Sequence, residues 1–425
     1  MTGGQRKIRI MPTRAAVSTM ILLFLITLSS AQTFTVLHAF TGKGDGSFPE
    51  SGVILDAKGD IYGATESGGA LDKGAIYKID ARGKETILHT FWGGDGLGPD
   101  SLIRDHEGNL YGAAADGGTP EGGKCLFGCG AIFKVDKSGK ETVLYAFTGG
   151  TDGWDPFGPL VSDRSGSVDG TAEFGGNARC QAIGCGVVFR VGEDGKETVL
   201  HSFNGVPDGT EPSYGVIQDE QGNLYGTTAQ GGDPTKCDGA GCGVVFKVTH
   251  SGKETLLYSF TGGADGGGPS GPLLRDADGN LYGVTAYGGD LSVCQTGRFF
   301  NGCGVLFRLD TSGKEIALYD FRGGPVGRTP QGGLVRDSNG AFYGVTFSGG
   351  SDGCGDHSGC GVVFKVDANG NETVLHTFTG GSDGAWPNGN LIMDAAGNLY
   401  GTTAAGGDPS CGYGDGCGVV FRISP

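Results

Sequence analysis

Charge is scarce in this 425-residue chain: Asp, Glu, Lys and Arg together make up only 18% of it. What charge there is leans one way, with 47 acidic residues against 31 basic ones. That balance argues against nucleic acid or anionic lipid as partners, because a negative field repels a polyanion. Long apolar runs are missing after residue 28, so no later segment is suited to span a bilayer as a helix. No serine elbow, phosphate loop, dinucleotide fingerprint or zinc-hydrolase motif stands in the strand–helix setting its chemistry needs. Long polar tracts are also absent, which speaks against disorder.

What is abundant is glycine, with 88 residues, about three times the usual share. There is no Gly-X-Y period, so collagen is excluded. Scattered Val, Ile, Leu, Phe and Tyr among so much glycine predict many short strands joined by many turns. The first 31 residues read differently. Arg6, Lys7, Arg9 and Arg14 precede an apolar run from Val17 to Leu28, and Ser29, Ser30 and Ala31 are small. This is the layout of a secretory signal peptide over 1–31, cut before Gln32. A mature chain of 32–425 would keep 27 basic and 47 acidic residues, a net charge of −20.

Self-comparison finds seven copies of one repeat of about 56 residues, and a period of that size points to a repeat architecture. The marker is Asn-Leu-Tyr-Gly and its variants, whose tyrosine is Tyr62, Tyr111, Tyr225, Tyr282, Tyr343 and Tyr400, with Asp169 in the third copy. The fourth copy predicts strands over Tyr214–Asp219, Asn223–Ala229, Gly243–Thr249 and Lys253–Phe260. Four short antiparallel strands repeated seven times predict an all-β fold, a seven-bladed β-propeller. The alternative is a linear β-solenoid. The chain ends favour the ring, because it opens on an isolated fourth strand, Thr33–Phe40, and stops after a third strand, Gly418–Ser424. The N-terminal strand would pair into the last blade and remove the exposed edges.

Leu224–Gly232 and Leu399–Gly407 read Leu-Tyr-Gly-Thr-Thr-x-x-Gly-Gly, and Gly241–Phe246 and Gly416–Phe421 read Gly-Cys-Gly-Val-Val-Phe. Together these motifs resemble the Gloeo/Verruco (GloVer) tandem repeat over essentially all of 32–425. The resemblance implies a bacterial exported repeat protein and carries over no activity. Some members of that family have C-terminal sorting anchors; this sequence departs from them, ending at Pro425 directly after a strand.

Tight turns such as Asp105 to Gly108 and Asp136 to Gly139 join first to second and third to fourth strands. The longer connections therefore share the opposite face, where function is expected. All twelve cysteines lie in the second-to-third loops, as Cys125/Cys129, Cys180/Cys185, Cys237/Cys242, Cys294/Cys303, Cys354/Cys360 and Cys411/Cys417. In an exported chain they read as six local disulfides, each stabilising by about 2 kcal/mol, mostly by rigidifying its own loop. Cross-blade pairing is an alternative, and zinc a weaker one, since no histidine recurs beside the pairs.

The fourth-to-first loops carry Gly-Gly-x-Asp-Gly or a variant of it, with Asp45, Asp95, Asp152, Asp208, Asp265 and Asp383 as the acid and Val326 in the sixth. Asp-Gly is ordinary turn chemistry, and a ring of carboxylates holding Ca²⁺ is the functional alternative. Beyond that optional Ca²⁺, no cofactor is expected. His38, His89, His201 and His376 share one fourth-strand position with Tyr145, Tyr258 and Tyr319, which reads as packing or a satisfied hydrogen bond. His357, in a long loop, is left as a weak catalytic candidate. Trp92, Trp154 and Trp386 all fall in fourth-to-first loops, and Phe48 corresponds to Trp386. They mark one arc of blades on which sugar rings could stack, unless the rings only cover glycine-rich loops. Symmetry breaks guide a catalytic search: Arg322 and Arg328, Arg298-Phe299-Phe300, and Asp169, a possible acid or base with Asp155.

These readings predict a secreted or periplasmic monomer that binds a glycan or envelope component through the arc of Phe48, Trp92, Trp154 and Trp386. A polysaccharide lyase or glycoside hydrolase using loop carboxylates is the second expectation, and a structural envelope protein the third.

Overall fold

The residues of each copy sort by position into those that must pair and those that must be covered. In the computed structural model, described over residues 1–4, 32–118, 125–163, 166–177, 179–180, 183–295, 301–354 and 358–425, seven separate antiparallel sheets form. Blade 4 illustrates them: Val216–Gln218 innermost, then Leu224–Thr228, Val244–Val248 and Glu254–Ser259 outermost. The β-branched middle strands are buried on both faces, while the outer strand stays half-buried. The innermost strand is shorter than its apolar pattern predicts, because Gly215 turns the chain at φ 65° before Val216.

Blades 1, 2, 3, 5 and 6 occupy residues 54–90, 97–146, 154–202, 267–320 and 328–377 in the same strand order. In blade 5 the inner strand is split into Gly267–Pro269 and Leu274–Arg275. Blade 7 joins Ile392–Met393, Leu399–Thr403 and Val419–Ser424 to the N-terminal strand Thr33–Ala39. Thr33 pairs with Ser424 and Ala39 with Val419, so the surplus first strand closes the ring. This is the seven-bladed propeller that the sequence phase requires.

Cohesion between blades comes from a repeated aromatic pair. The phenylalanine ending each outer strand meets the ring of the next blade's third strand edge to face. Phe91/Phe133, Phe147/Phe189, Phe203/Phe246, Phe260/Phe307 and Phe321/Phe364 lie 5.0–5.1 Å apart. Phe378/Phe421 and Phe40/Tyr77 complete the circle. Such pairs add about 0.5–1.5 kcal/mol each beyond their area burial. The Leu-Tyr-Gly motif serves the same packing: a Cβ at Gly226 would sit 2.6 Å from the Phe246 ring, so only glycine leaves room for it.

All six expected cysteine pairs are disulfides, each within its own second-to-third loop: Cys125–Cys129, Cys180–Cys185, Cys237–Cys242, Cys294–Cys303, Cys354–Cys360 and Cys411–Cys417. Their setting adds burial to the expectation that each bridge rigidifies its own loop. Cys185 and Cys242 are 0% exposed, Cys303 1% and Cys417 2%, and Cys129 and Cys360 are buried as well. The physical reason is position: each second cysteine stands two residues before its third strand, at the point where the loop dives between blades. Cys185 packs with Phe203 and Val216, Cys242 with Phe260 and Val305, Cys303 with Phe321 and Val362, and Cys417 with Phe40 and Tyr77. At least one cysteine of each bridge therefore belongs to the core between neighbouring blades, and in Cys125–Cys129, Cys354–Cys360 and Cys411–Cys417 both do, so the bridges behave there as buried apolar surface. Among the described residues no helix is long and apolar enough to cross a membrane. Residues 32–425 form one compact unit.

Candidate functional site

The Gly-Gly-x-Asp-Gly aspartates are committed to their own loops. Asp265 accepts from Thr261 N (2.8 Å) and Thr261 Oγ1 (2.5 Å). Asp45, Asp152, Asp208 and Asp383 cap the same turn, and Asp95 accepts from the N–H groups of Trp92 and Gly93. The interchangeable His/Tyr position reaches this carboxylate: His89 lies 2.8 Å from Asp95, and Tyr145 and Tyr258 donate to Asp152 and Asp265 at 3.0 Å. Where Val326 replaces the acid, Tyr319 turns to Glu372 at 2.7 Å. Beside the first of these pairs, the opening glutamate of the next outer strand is half-buried. His89, Asp95 and Glu141 bring their ligand-capable atoms within 4.8 Å of one another.

The aromatic arc is uneven. Trp92 is 62% exposed. Trp154 lies 4.7 Å from the Phe174 ring with its Nε1 donating to Ile183 O, and Trp386 stacks beside Phe347 at 6.2 Å. Phe48 is half-buried. All four sit on the loop-rich side, but only Trp92 presents most of its surface to solvent.

Asp169 is 1% exposed and clasped by Arg190, with Nε to Oδ1 at 2.6 Å and Nη2 to Oδ2 at 2.7 Å. In the other copies a tyrosine stands there; Tyr225, for instance, donates to Asp219 while Lys247 lies over its ring. Asp155 belongs to the opposite end of blade 3, since Trp154 faces Phe174 and Val161 faces Asp169. The two aspartates are therefore not brought together. His357 and Arg298-Phe299-Phe300 lie outside the described residues.

A site that sequence reading did not assemble encircles the axis on the loop-rich face. Every copy enters its blade through an X-Pro pair, with X in the left-handed region: Phe48, Gly98, Asp155, Glu211, Gly268, Thr329 and Trp386. In six of the seven junctions the N–H of X donates to the carbonyl of the preceding loop's second cysteine. The donors run from Asp155 to Cys129, Glu211 to Cys185, Gly268 to Cys242, Thr329 to Cys303, Trp386 to Cys360 and Phe48 to Cys417. The staple thus holds the mouth as well as its own loop. Residues following each proline converge on an axial cavity of about 350 Å³ lined by Glu50, Asp100, Phe157, Ser213, Gln331 and Asn388, among others.

The mouth is chemically lopsided. Blades 1 to 4 supply Glu50, Glu66, Asp100, Asp116, Asp155, Glu173 and Glu211. Burial, then Glu66 and Asp100, push Glu50 up to about 7. Burial raises Asp100 to about 6 against backbone N–H bonds from Gly158 and Ser101. Asp155 rises to about 7 through burial, then Glu173, Asp116 and Asp100. Burial also raises Glu66, Asp116, Glu173 and Glu211. Perturbation of this kind concentrates at functional sites. Blades 5 to 7 place Gly268, Ser270, Ala286, Thr329, Gln331, Trp386 and Asn388 at the matching positions. Over blades 4 to 6 opens a cavity of about 650 Å³, lined largely by apolar atoms and including Tyr214, Tyr287 and Arg328. Tyr214 also lines the axial cavity, so the two adjoin. A third cavity over blades 1 and 2 shares Glu50 and Asp100 with the axial one. The signal that would have revealed this mouth was in the sequence, at the positions flanking the seven prolines.

No curated protein matches the chain by sequence. Its structure is similar to that of a gluconolactonase from Xanthomonas campestris, at 12% identity and a TM-score of 0.44, over 92% of this chain and 89% of that one. A luciferin-regenerating enzyme is also similar, at 16% identity and a TM-score of 0.41, over 77% of this chain and 91% of that one. The Gloeobacter/Verrucomicrobia repeat matches residues 18–179, 124–356 and 290–425, in keeping with the Leu-Tyr-Gly-Thr-Thr and Gly-Cys-Gly-Val-Val-Phe motifs. The chain belongs to the Gloeobacter/Verrucomicrobia repeat family.

Proposed function

We propose that this chain is exported, with Met1–Ala31 as a cleaved signal segment, and that Gln32–Pro425 binds a glycan across its loop-rich mouth. The six disulfides suit an oxidising compartment. The observation that carries the reading is the run of adjoining cavities crossing the mouth, from the acidic blades over the axis to the apolar hollow of blades 4 to 6. An elongated trough with aromatic walls, scattered amides and carboxylates matches a polyhydroxylated chain, whose ring faces are apolar and whose edges donate and accept hydrogen bonds. Trp92 would extend it with an exposed ring at the rim.

A second reading, a glycoside hydrolase or lyase, draws on Glu50 and Asp100. Two axial carboxyls raised to about 7 and about 6 are suited to hold and release a proton near neutrality. One experiment separates the two: incubate purified protein with bacterial and plant polysaccharides, with and without Ca²⁺, and follow retained polymer and released fragments by mass spectrometry. Retention without fragments is the expected result. Fragments would replace binding with catalysis, and neither signal would remove the glycan reading.

A further inference from the structure

We infer that the cavity over blades 4 to 6 is a subsite for one carboxylated sugar, a uronate unit, whose carboxylate pairs with Arg328. This rests on the glycan reading above and adds to it the identity of the unit and the residue that selects it.

The hollow exists because blade 5 departs from its siblings. It alone has two glycines before the proline, Gly267 and Gly268, and the Tyr287 ring lies against them. A Cβ at either glycine would come within 2.4–2.5 Å of that ring. The floor is therefore blade 5, with Pro269, Ser270, Ala286 and Tyr287. Blade 4 contributes one flank through Tyr214, Gln230 and Asp238; blade 6 contributes the other through Arg328 and Thr329. About 650 Å³ exceeds what a single ring needs and leaves room for its links to neighbours.

Charge decides the unit. Arg328 is the one cation lining this cavity, the axial cavity or the cavity over blades 1 and 2, among the described residues. Among the described residues it donates from Nη2 to Ser358 O at 3.3 Å, which leaves the rest of the guanidinium fork for a ligand. A planar fork is suited to clasp a carboxylate. Asp238, exposed on the opposite flank, is an acceptor for sugar hydroxyls. Across the axis, once the pH is above about 7 and Glu50, Asp100 and Asp155 are ionised, the acidic half of the mouth repels further carboxylates, so the units beyond the subsite must be neutral or amino-bearing. The glycan favoured is thus one whose uronates are spaced by neutral or amino sugars, and a homopolymer of uronate is disfavoured.

The test uses an oligosaccharide alternating glucuronate with N-acetylglucosamine, its carboxyl-reduced form and an oligogalacturonate, each titrated calorimetrically into the purified protein. Wild-type protein should bind the alternating ligand and lose about tenfold or more of its affinity on carboxyl reduction. R328Q should show the same loss and should not distinguish native from reduced ligand, while R328K should recover part of the affinity. Thermal melts would establish that R328Q is folded, and R328K provides a second folded comparison. Equal affinities for native and reduced ligand in the wild type, or an R328Q protein that still distinguishes them, would overturn the subsite while leaving glycan binding intact. Preference for oligogalacturonate would overturn it too. Failure of the wild type to bind any polysaccharide, in the panel above and here, overturns both readings.

Discussion

Gly243 lies between the disulfide of blade 4 and the proline that opens blade 5. Its φ is +93°, and a Cβ would stand 2.5 Å from Pro269 Cδ and 2.5 Å from Thr228 O. The same approach recurs at Gly74, Gly130, Gly186, Gly304, Gly361 and Gly418, each against the next blade's proline. A side chain there meets two penalties: left-handed strain of about 1–2 kcal/mol and overpacking of about 1–3 kcal/mol. Gly83, at φ +83° with nothing within 4 Å, isolates the first. Urea unfolding of G243A should therefore show a loss of about 2–5 kcal/mol, and that of G83A about 1–2 kcal/mol. Equal losses would mean that the glycine–proline contact contributes nothing to holding blades together.

At the scale of the element, the N-terminal strand carries the heaviest duty, since it alone pairs across the chain ends. Phe34 stands where the other outer strands begin with glutamate, and its ring stacks on His376 of blade 6 at 3.7 Å and lies 5.6 Å from Phe421. Removing residues 32–40 would expose the edge of Val419–Ser424 and strip the partner of Tyr77. The truncated protein should melt lower and self-associate, and a synthetic peptide of Thr33–Phe40 should raise its melting temperature in a concentration-dependent way. Unchanged melting on truncation would refute closure by this strand. This closure was legible beforehand, because strand phase depends on counting pieces and nothing more. The cysteine pairing was legible for a similar reason: the cysteines come two to a loop, one pair per copy from the second onward. The burial of Cys185, Cys242, Cys303 and Cys417 was not, because it depends on which neighbouring blade covers the end of each loop. The split inner strand of blade 5 also escaped, since it depends on Tyr287 settling over Gly267 and Gly268. Nor was the exposure of the aromatic arc readable, which turns on local packing such as Trp154 against Phe174. Asp155 was singled out, but its neighbours Glu173, Asp116 and Asp100 come from three different sequence stretches and meet only once blades 2 and 3 pack together.

Taken over the whole molecule, the carboxylates fall into two populations with opposite pH signatures. Aspartates of the tight turns, such as Asp136, Asp310 and Asp367, are held below the usual range, chiefly by hydrogen bonds from Ser138, Ser312 and Asn371. What they contribute is present above the unfolded value of 3.8 and is lost as the pH falls through their lower folded values. The second population lies between blades and at the mouth. Burial, then Asp95, Asp152 and Asp265 respectively, raise Glu141, Glu197 and Glu315 to about 7, and His89 opposes the shift at Glu141. Glu50 and Asp155 reach about 7 and Asp100 about 6. A folded pKa above the unfolded one means the native state keeps protons that the unfolded chain has released. Stability from these groups is therefore complete below about 4 and declines as the pH rises to about 7. His38, lowered by burial, works against this trend by losing stability as the pH falls below 6.5. One histidine faces six carboxyls raised to about 6 or 7, so the carboxyls set the sign. Calorimetric melting temperatures should peak near about pH 4–5 and fall toward about pH 8, and E141Q should flatten part of that slope. A melting temperature that climbs from about pH 5 to about pH 8 would show that these carboxyls are charged in the folded ring, with the acidic half of the mouth fully ionised at neutral pH.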